Sequence, residues 1–131
     1  MAETNGLLTE HREGHVTIVV FGNELKHLDE IHVNEVGRKL LEITDKLTIP
    51  SLVLDMQATE FFGSSFIEAL FRIWKKLNTK PDAQFGIAGL QPYCREVLEV
   101  THLDKVWPLF ETNAAAIKTF NAVRDSINPV I

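Results

Sequence analysis

Two adjacent serines, Ser64 and Ser65, carry the side chains best placed for chemistry in this sequence, because they precede an apolar run. A helix that begins at such serines leaves backbone N–H groups unpaired, and its dipole favours nearby negative charge by about 0.3–1 kcal/mol. A phosphate on a serine there would add roughly −1.5 to −2 charges, which could change what binds the surface. The pattern therefore indicates a candidate phosphorylation site at Ser65.

The same residues also fit a purely structural role. Ser65-Phe66-Ile67-Glu68 has the spacing of a capping box, in which Ser65 accepts a hydrogen bond from the N–H of Glu68. The Glu68 side chain would then return to the N–H of Ser65, and it would repel a phosphate on that serine. Spacing alone therefore favours a helix cap over a regulatory site.

The sequence contains little that indicates a metal site or a reactive cysteine. The five histidines show neither an HExxH motif nor paired cysteine spacing, so we expect surface histidines, no metal and no cofactor. Cys94 has core-facing spacing with Val97 and Leu98, and we expect a buried, inert thiol. The glycines match neither a dinucleotide-binding fingerprint nor a phosphate-binding loop.

Asp55 is the residue that most favours an enzyme. It ends a predicted strand, and open α/β sheets often place functional groups at that position. No histidine or second carboxylate is spaced to form a catalytic pair with it. We therefore expect a protein that is not an enzyme.

Length and charge narrow the class of protein. A chain of 131 residues suits one domain, so we expect residues 1–131 to form a single domain with residues 1–6 as a frayed tail. The net charge of −5 argues against a nucleic-acid partner, and the basic residues near Arg72 indicate the solvated face of a helix. With one cysteine, no membrane-length apolar run and no signal-peptide core, we expect a cytoplasmic protein that does not bind a membrane.

Hydrophobic periodicity predicts strands that alternate with helices. The near-continuous apolar run Ser51–Met56 is typical of a strand covered on both faces, and Pro108 indicates a sheet edge. This order predicts an α/β fold: a mixed, largely parallel β-sheet with an opening hairpin and about four helices packed on it. The predicted strands are Leu7–Arg12, His15–Phe21, Ser51–Met56, Gln84–Ala88 and Val106–Phe110. The predicted helices are Asp29–Lys46, Ser65–Asn78, Pro92–Val100 and a last helix with Ala116, Phe120, Val123 and Ile127 on one face.

Two segments give the chain a resemblance to the STAS domain, the fold of anti-sigma-factor antagonists and stressosome proteins. The first is Val53-Leu54-Asp55 followed by Phe61-Phe62-Gly63-Ser64-Ser65-Phe66-Ile67-Glu68, which resembles the family's strand and its serine turn into a helix. The second is Gly89-Leu90-Gln91-Pro92 followed by the segment 97–106, which resembles the family's later loop and helix. The order of elements agrees from about Leu7 to Val123.

The resemblance implies protein–protein regulation rather than catalysis. In the family, the second serine of the turn is commonly phosphorylated by a partner serine kinase that is itself an anti-sigma factor, and a phosphatase resets the switch. By position, the phosphorylated residue is Ser65. The implied partner-binding residues are Gly63, Ser64, Ser65, Phe66 and Glu68.

Departures from the family pattern leave an alternative open. Gly63 stands where the family has Asp, and Phe66-Ile67-Glu68 stands where it has Gly-Leu-Gly. The alternative is a STAS scaffold that is not phosphorylated and binds a protein or a small anionic ligand through the same helix start. The choice between a monomer and a homodimer is open as well.

Overall fold

The structure, a computed structural model, describes the backbone of residues 3–4 and all of residues 7–127. Strands and helices alternate along these residues, with short 3₁₀ turns at Asn23–Leu25 and Leu103–Lys105. The strands of the described part are β1 (Glu3–Thr4), β2 (Leu8–Glu13), β3 (Val16–Phe21), β4 (His27–Leu28), β5 (Ser51–Asp55), β6 (Phe61–Phe62), β7 (Gln84–Ala88) and β8 (Leu109–Phe110). The helices are α1 (Glu30–Lys46), α2 (Ser64–Leu77), α3 (Pro92–Val100) and α4 (Asn113–Ile127).

The main sheet has the strand order β1-β2-β3-β5-β7-β8. The pairs β1–β2 and β2–β3 are antiparallel, and the pairs β3–β5, β5–β7 and β7–β8 are parallel, as helical crossovers require. The short strands β4 and β6 form a separate parallel pair, with His27 opposite Phe61. The predicted mixed, largely parallel sheet with an opening hairpin and four helices is confirmed.

Alternating side chains of the central strands build a core on each face of the sheet. On one face, Val16, Ile18 and Val53 pack against α4. On the other face, Leu52 and Leu54 belong to a larger core that includes buried residues of α1, α2 and α3. Strand β5 is buried at all five positions, which confirms the prediction of a strand covered on both faces.

The first and the last strand of the main sheet differ from the predicted ones. Glu3 and Thr4, expected in a frayed tail, form a strand beside Thr9 and Glu10, while residues 1–2 and 5–6 lie outside the described residues. The last strand is shorter than the predicted Val106–Phe110, because the turn at Leu103–Lys105 extends through a bond from the N–H of Trp107 to the carbonyl of Leu103. That turn places Trp107 in the core with no exposed surface.

The buried face of α4 also differs from the predicted one. Ala116 and Phe120 are buried as expected, but Val123 and Ile127 are 46% and 42% exposed. Arg124 is buried instead, and its Nη2 donates to Ser51 Oγ at 2.9 Å and to the carbonyl of Asp82 at 2.7 Å. The apolar face of the sheet ends near Ser51, so polar atoms there select an arginine rather than an apolar residue.

Candidate functional site

Helix α2 begins one residue earlier than predicted. Its first residue is Ser64, and the N–H groups of Phe66 and Ile67 donate to the carbonyl of Gly63 at 3.2 and 3.4 Å. Gly63 is therefore the N-cap, with no side-chain cap bond, and Ser65 is the second residue of the helix. The predicted capping box with Ser65 as the cap is wrong.

Phe66 explains why the helix begins there. Its side chain has no exposed surface, and its ring lies 5.2 Å from the ring of Phe62 and 5.9 Å from that of Phe21. Burying Phe62 and Phe66 together requires the chain to turn into the helix directly after β6. The side chain of Phe66 therefore belongs to the core and cannot contact a partner, contrary to its assignment as a partner-binding residue. The spacing of Phe66 with Leu70, Ile73 and Leu77 could have shown this.

The other predicted partner-binding residues do come together at the surface. Ser64 and Glu68 are exposed, and Gly63 and Ser65 are half-buried. A Cβ atom added at Gly63 would meet no atom within 4 Å, so this position has room for a side chain. We call residues 63–65 the serine turn.

Ser65 faces a groove between α1 and α2 rather than open solvent. The groove has a volume of about 480 Å³. Two ion pairs lie along it, from Arg38 Nη1 to Glu42 Oε1 at 2.9 Å and from Lys76 Nζ to Asp45 Oδ1 at 3.3 Å. The polar residues that line it are Asn34, Arg38, Glu42 and Asp45 of α1, and Ser65, Glu68, Arg72 and Lys76 of α2.

An exposed aromatic pair was missed in the sequence; it is formed by Phe61, two residues before the serine turn, and by Tyr93. The rings of Phe61 and Tyr93 stack 5.5 Å apart at an interplanar angle of 24°. The two side chains are 43% and 51% exposed, while the neighbouring Phe62 is buried. Alternation along a strand was the available signal, since burial of Phe62 turns Phe61 toward solvent. Tyr93 offered no comparable signal, because α3 brings it beside Phe61 only in the folded chain.

Asp55 has a structural role, because its carboxylate is buried and hydrogen-bonded. It is 6% exposed, and both carboxylate oxygens accept hydrogen bonds, from the N–H of Gln57 at 3.1 Å and from Nδ2 of Asn113 at 2.7 Å. These bonds join the loop after β5 to the first residue of α4. The best candidate for a catalytic carboxylate is thus occupied in holding two segments together.

Cys94 is buried, as predicted. Burial raises the pKa of its thiol to about 11, and the Sγ atom lies 3.8 Å from the carbonyl oxygen of Thr59, to which it donates a weak hydrogen bond. Such a thiol is protonated at neutral pH and a poor nucleophile.

Two further findings concern the described residues only. They contain no group of three or more histidine, cysteine or acidic side chains arranged to hold a metal ion. Each of their helices is too short or too polar to cross a bilayer.

The sequence matches the family described as the STAS domain over residues 7–116. A solved structure of an anti-sigma-factor antagonist (STAS) domain protein from Planctomyces limnophilus is 34% identical, with a TM-score of 0.81 over 87% of this chain and 97% of that chain. No curated protein sequence matches this chain significantly.

Two more distant structures share the fold. An anti-sigma factor antagonist from Mycobacterium paratuberculosis is 24% identical, with a TM-score of 0.76 over 87% of this chain and 92% of that chain. The Bacillus cell fate determinant SpoIIAA in its phosphorylated form is 16% identical, with a TM-score of 0.63 over 86% of this chain and 97% of that chain.

Proposed function

Because this chain belongs to the STAS domain family, we propose that it is a cytoplasmic regulatory binding module of the anti-sigma-factor-antagonist type and not an enzyme. Its partner would be an anti-sigma factor that acts as a serine kinase, and a serine phosphatase would reset the switch. The observation that carries the proposal is the serine turn, which places exposed Ser64 and half-buried Ser65 in the first turn of α2, shortly after the exposed aromatic residue Phe61.

The docking surface in this proposal combines the serine turn with Glu68 and the stacked rings of Phe61 and Tyr93. Aromatic side chains near the centre of an interface carry much of its binding energy, and these two are already stacked before any partner arrives. Preorganised anchors lose little conformational entropy on binding. The pair would therefore supply affinity, while the adjacent serine turn would supply the response to phosphorylation.

The switch in this proposal is a change of charge at Ser65. The kinase would transfer the γ-phosphoryl group of ATP to Ser65 Oγ, with loss of the hydroxyl proton and release of ADP. The phosphate would lie at the positive end of a 14-residue helix, where the dipole stabilises it, although Glu68 one turn later repels it. SpoIIAA, which shares this fold, has a phosphorylated form.

The second candidate is a STAS scaffold that binds a protein or a small anionic ligand through the same surface without being phosphorylated. Gly63 favours this candidate, because the family's aspartate is absent from the N-cap of α2.

Co-purification of the tagged protein from its native cells, followed by binding measurements with the captured partner, tests the proposal. We expect a serine-kinase partner, a phosphate on Ser65 by mass spectrometry, and at least tenfold weaker binding after Ser65→Asp or Tyr93→Ala. Val100→Ala is the matched control, because Val100 is also an exposed apolar residue of α3. Unchanged affinity of Ser65→Asp would reject the switch and leave the scaffold, and unchanged affinity of Tyr93→Ala would reject the docking surface.

A further inference from the structure

The groove between α1 and α2 is lined by Ser65 and by cationic side chains of both helices. On α2, Ser65, Glu68 and Arg72 follow one another at spacings of three and four residues, so they lie along one face of the helix, and all three line the groove. Long helical side chains lean toward the N-terminus of their helix, which directs Arg72 toward Ser65.

The relative position of the two helices brings a second arginine to the opposite wall. A Cβ atom added at Gly37 would lie 3.7 Å from Ala69 Cβ, and Asp45 pairs with Lys76 about two turns further along both helices. The helices therefore run parallel, with residues 33–34 level with residue 65. Arg38 of α1 lies about one turn beyond that level and also lines the groove.

Both arginines can bind a phosphate at little cost in lost interactions. Arg72 is exposed and has no ion pair among the described residues. Arg38 pairs with Glu42, but both side chains are more than half exposed, and pairs of that kind are weak. A phosphate offers a guanidinium two charge-assisted hydrogen bonds, which are stronger than such a surface ion pair.

We propose that a phosphate on Ser65 turns into the groove and is held by Arg38 and Arg72, one from each wall. This inference rests on the proposed phosphorylation of Ser65 and states what the modification does to the molecule. Arg38 leaves Glu42, the phosphate connects α1 to α2, and Glu68 opposes the binding. A partner would then distinguish the two forms through α1 as well as through the serine turn.

Phosphoserine incorporated genetically at position 65 tests this inference without a kinase. The measured quantity is the change in Tm between the phosphorylated and unphosphorylated forms in several backgrounds. The Tm of the phosphorylated form minus that of the unphosphorylated form should be about 2–5 °C smaller in Arg38→Gln and in Arg72→Gln than in wild type. The same difference should be larger in Glu68→Gln than in wild type. Lys75→Gln is the matched control, since Lys75 is an exposed cation of α2 outside the groove.

Removal of the phosphate by alkaline phosphatase provides a second readout that does not depend on stability. Arginines that hold the phosphate slow its hydrolysis, so the double variant Arg38→Gln/Arg72→Gln should be dephosphorylated about fivefold faster than Lys75→Gln. Equal Tm changes and equal dephosphorylation rates in these backgrounds would overturn the inference. The proposed switch would be unaffected by that result, because it is judged separately by partner binding.

Discussion

Replacing Gly63 with aspartate tests the observed start of α2 and restores the residue that the family pattern has at this position. Gly63 is the N-cap, its φ of −113° and ψ of −167° suit any L-residue, and no atom lies within 4 Å of an added Cβ. The chain already contains an aspartate in this role, since Asp29 caps α1 by accepting a hydrogen bond from the N–H of His32 at 3.1 Å. Gly63→Asp should therefore be accommodated without strain.

Three effects of Gly63→Asp act in the same direction. A side-chain cap improves on glycine by a few tenths of a kcal/mol, and a carboxylate near a helix N-terminus adds about 0.3–1 kcal/mol. Loss of a glycine from the unfolded chain adds about 0.4–1 kcal/mol. We expect the free energy of unfolding to rise by about 1–2 kcal/mol and the Tm by about 3–8 °C.

Thermal and urea unfolding at pH 7 and pH 3 measure this gain. Gly63→Ala is the control, because it removes the same glycine but offers no cap, and it should leave the Tm close to that of wild type. The hydrogen bond from the N–H of His32 lowers the pKa of Asp29, and the new carboxylate should behave alike. Its contribution is therefore present above the ordinary aspartate pKa and lost as the pH falls through the lower folded value.

Equal Tm values for Gly63→Asp and Gly63→Ala at pH 7 would refute the assignment of Gly63 as the N-cap. A gain that persists undiminished at pH 3 would show that it does not come from a carboxylate cap.

Two further predictions concern the core. Because burial raises the pKa of the Cys94 thiol to about 11, the folded protein should react with Ellman's reagent at pH 8 far more slowly than the urea-unfolded chain. The free energy of unfolding should also fall as the pH rises from about 9 to about 11, because in that range the thiol ionises in the unfolded chain but not in the folded protein. Equal reactivity of the folded and unfolded protein would contradict the burial of the thiol, on which both expectations depend. Gly86→Ala should lower the free energy of unfolding by about 1–3 kcal/mol, because its Cβ would lie 2.9 Å from Phe120 Cζ and 3.0 Å from Phe110 Cε2. Urea unfolding checks this value, and an unchanged midpoint would mean that α4 does not pack as closely as described.

Elements with strong local signals were predicted well from the sequence. Strand β7 and helix α3 have the predicted bounds, and α1 begins directly after Asp29, whose capping side chain is a local signal. The buried β5 was recognisable because a run of β-branched and aliphatic residues between turn signals suits only a strand inside the protein. These features depend on neighbours in the chain, so the chain alone reveals them.

The start of α2 was predicted in approximate position but not in detail. The serines lie at the beginning of α2, as expected, but the helix begins one residue earlier than predicted. Phe66 was predicted to lie at the surface, and it is buried in the core. A capping box is a local pattern, and its gain of about 1 kcal/mol is smaller than the gain from burying an aromatic ring. The contact of Phe66 with Phe21, distant in the chain, therefore decided the start of α2.

The alternation of the longer strands with the helices, the hairpin at the start and the serines at the beginning of α2 follow from the amino-acid sequence by itself, because periodicity and turn residues act over a few positions. The two-residue strands β1, β4 and β6 were not predicted, since they are too short to show a period. Tertiary structure alone decided that Tyr93 stacks on Phe61, that Arg124 is buried on α4 and bonds to Ser51, and that Ser65 lines a groove with Arg38. Each of these features joins residues more than 25 positions apart in the chain. Burial and polar satisfaction across such distances depend on the whole packed core, which no local pattern encodes.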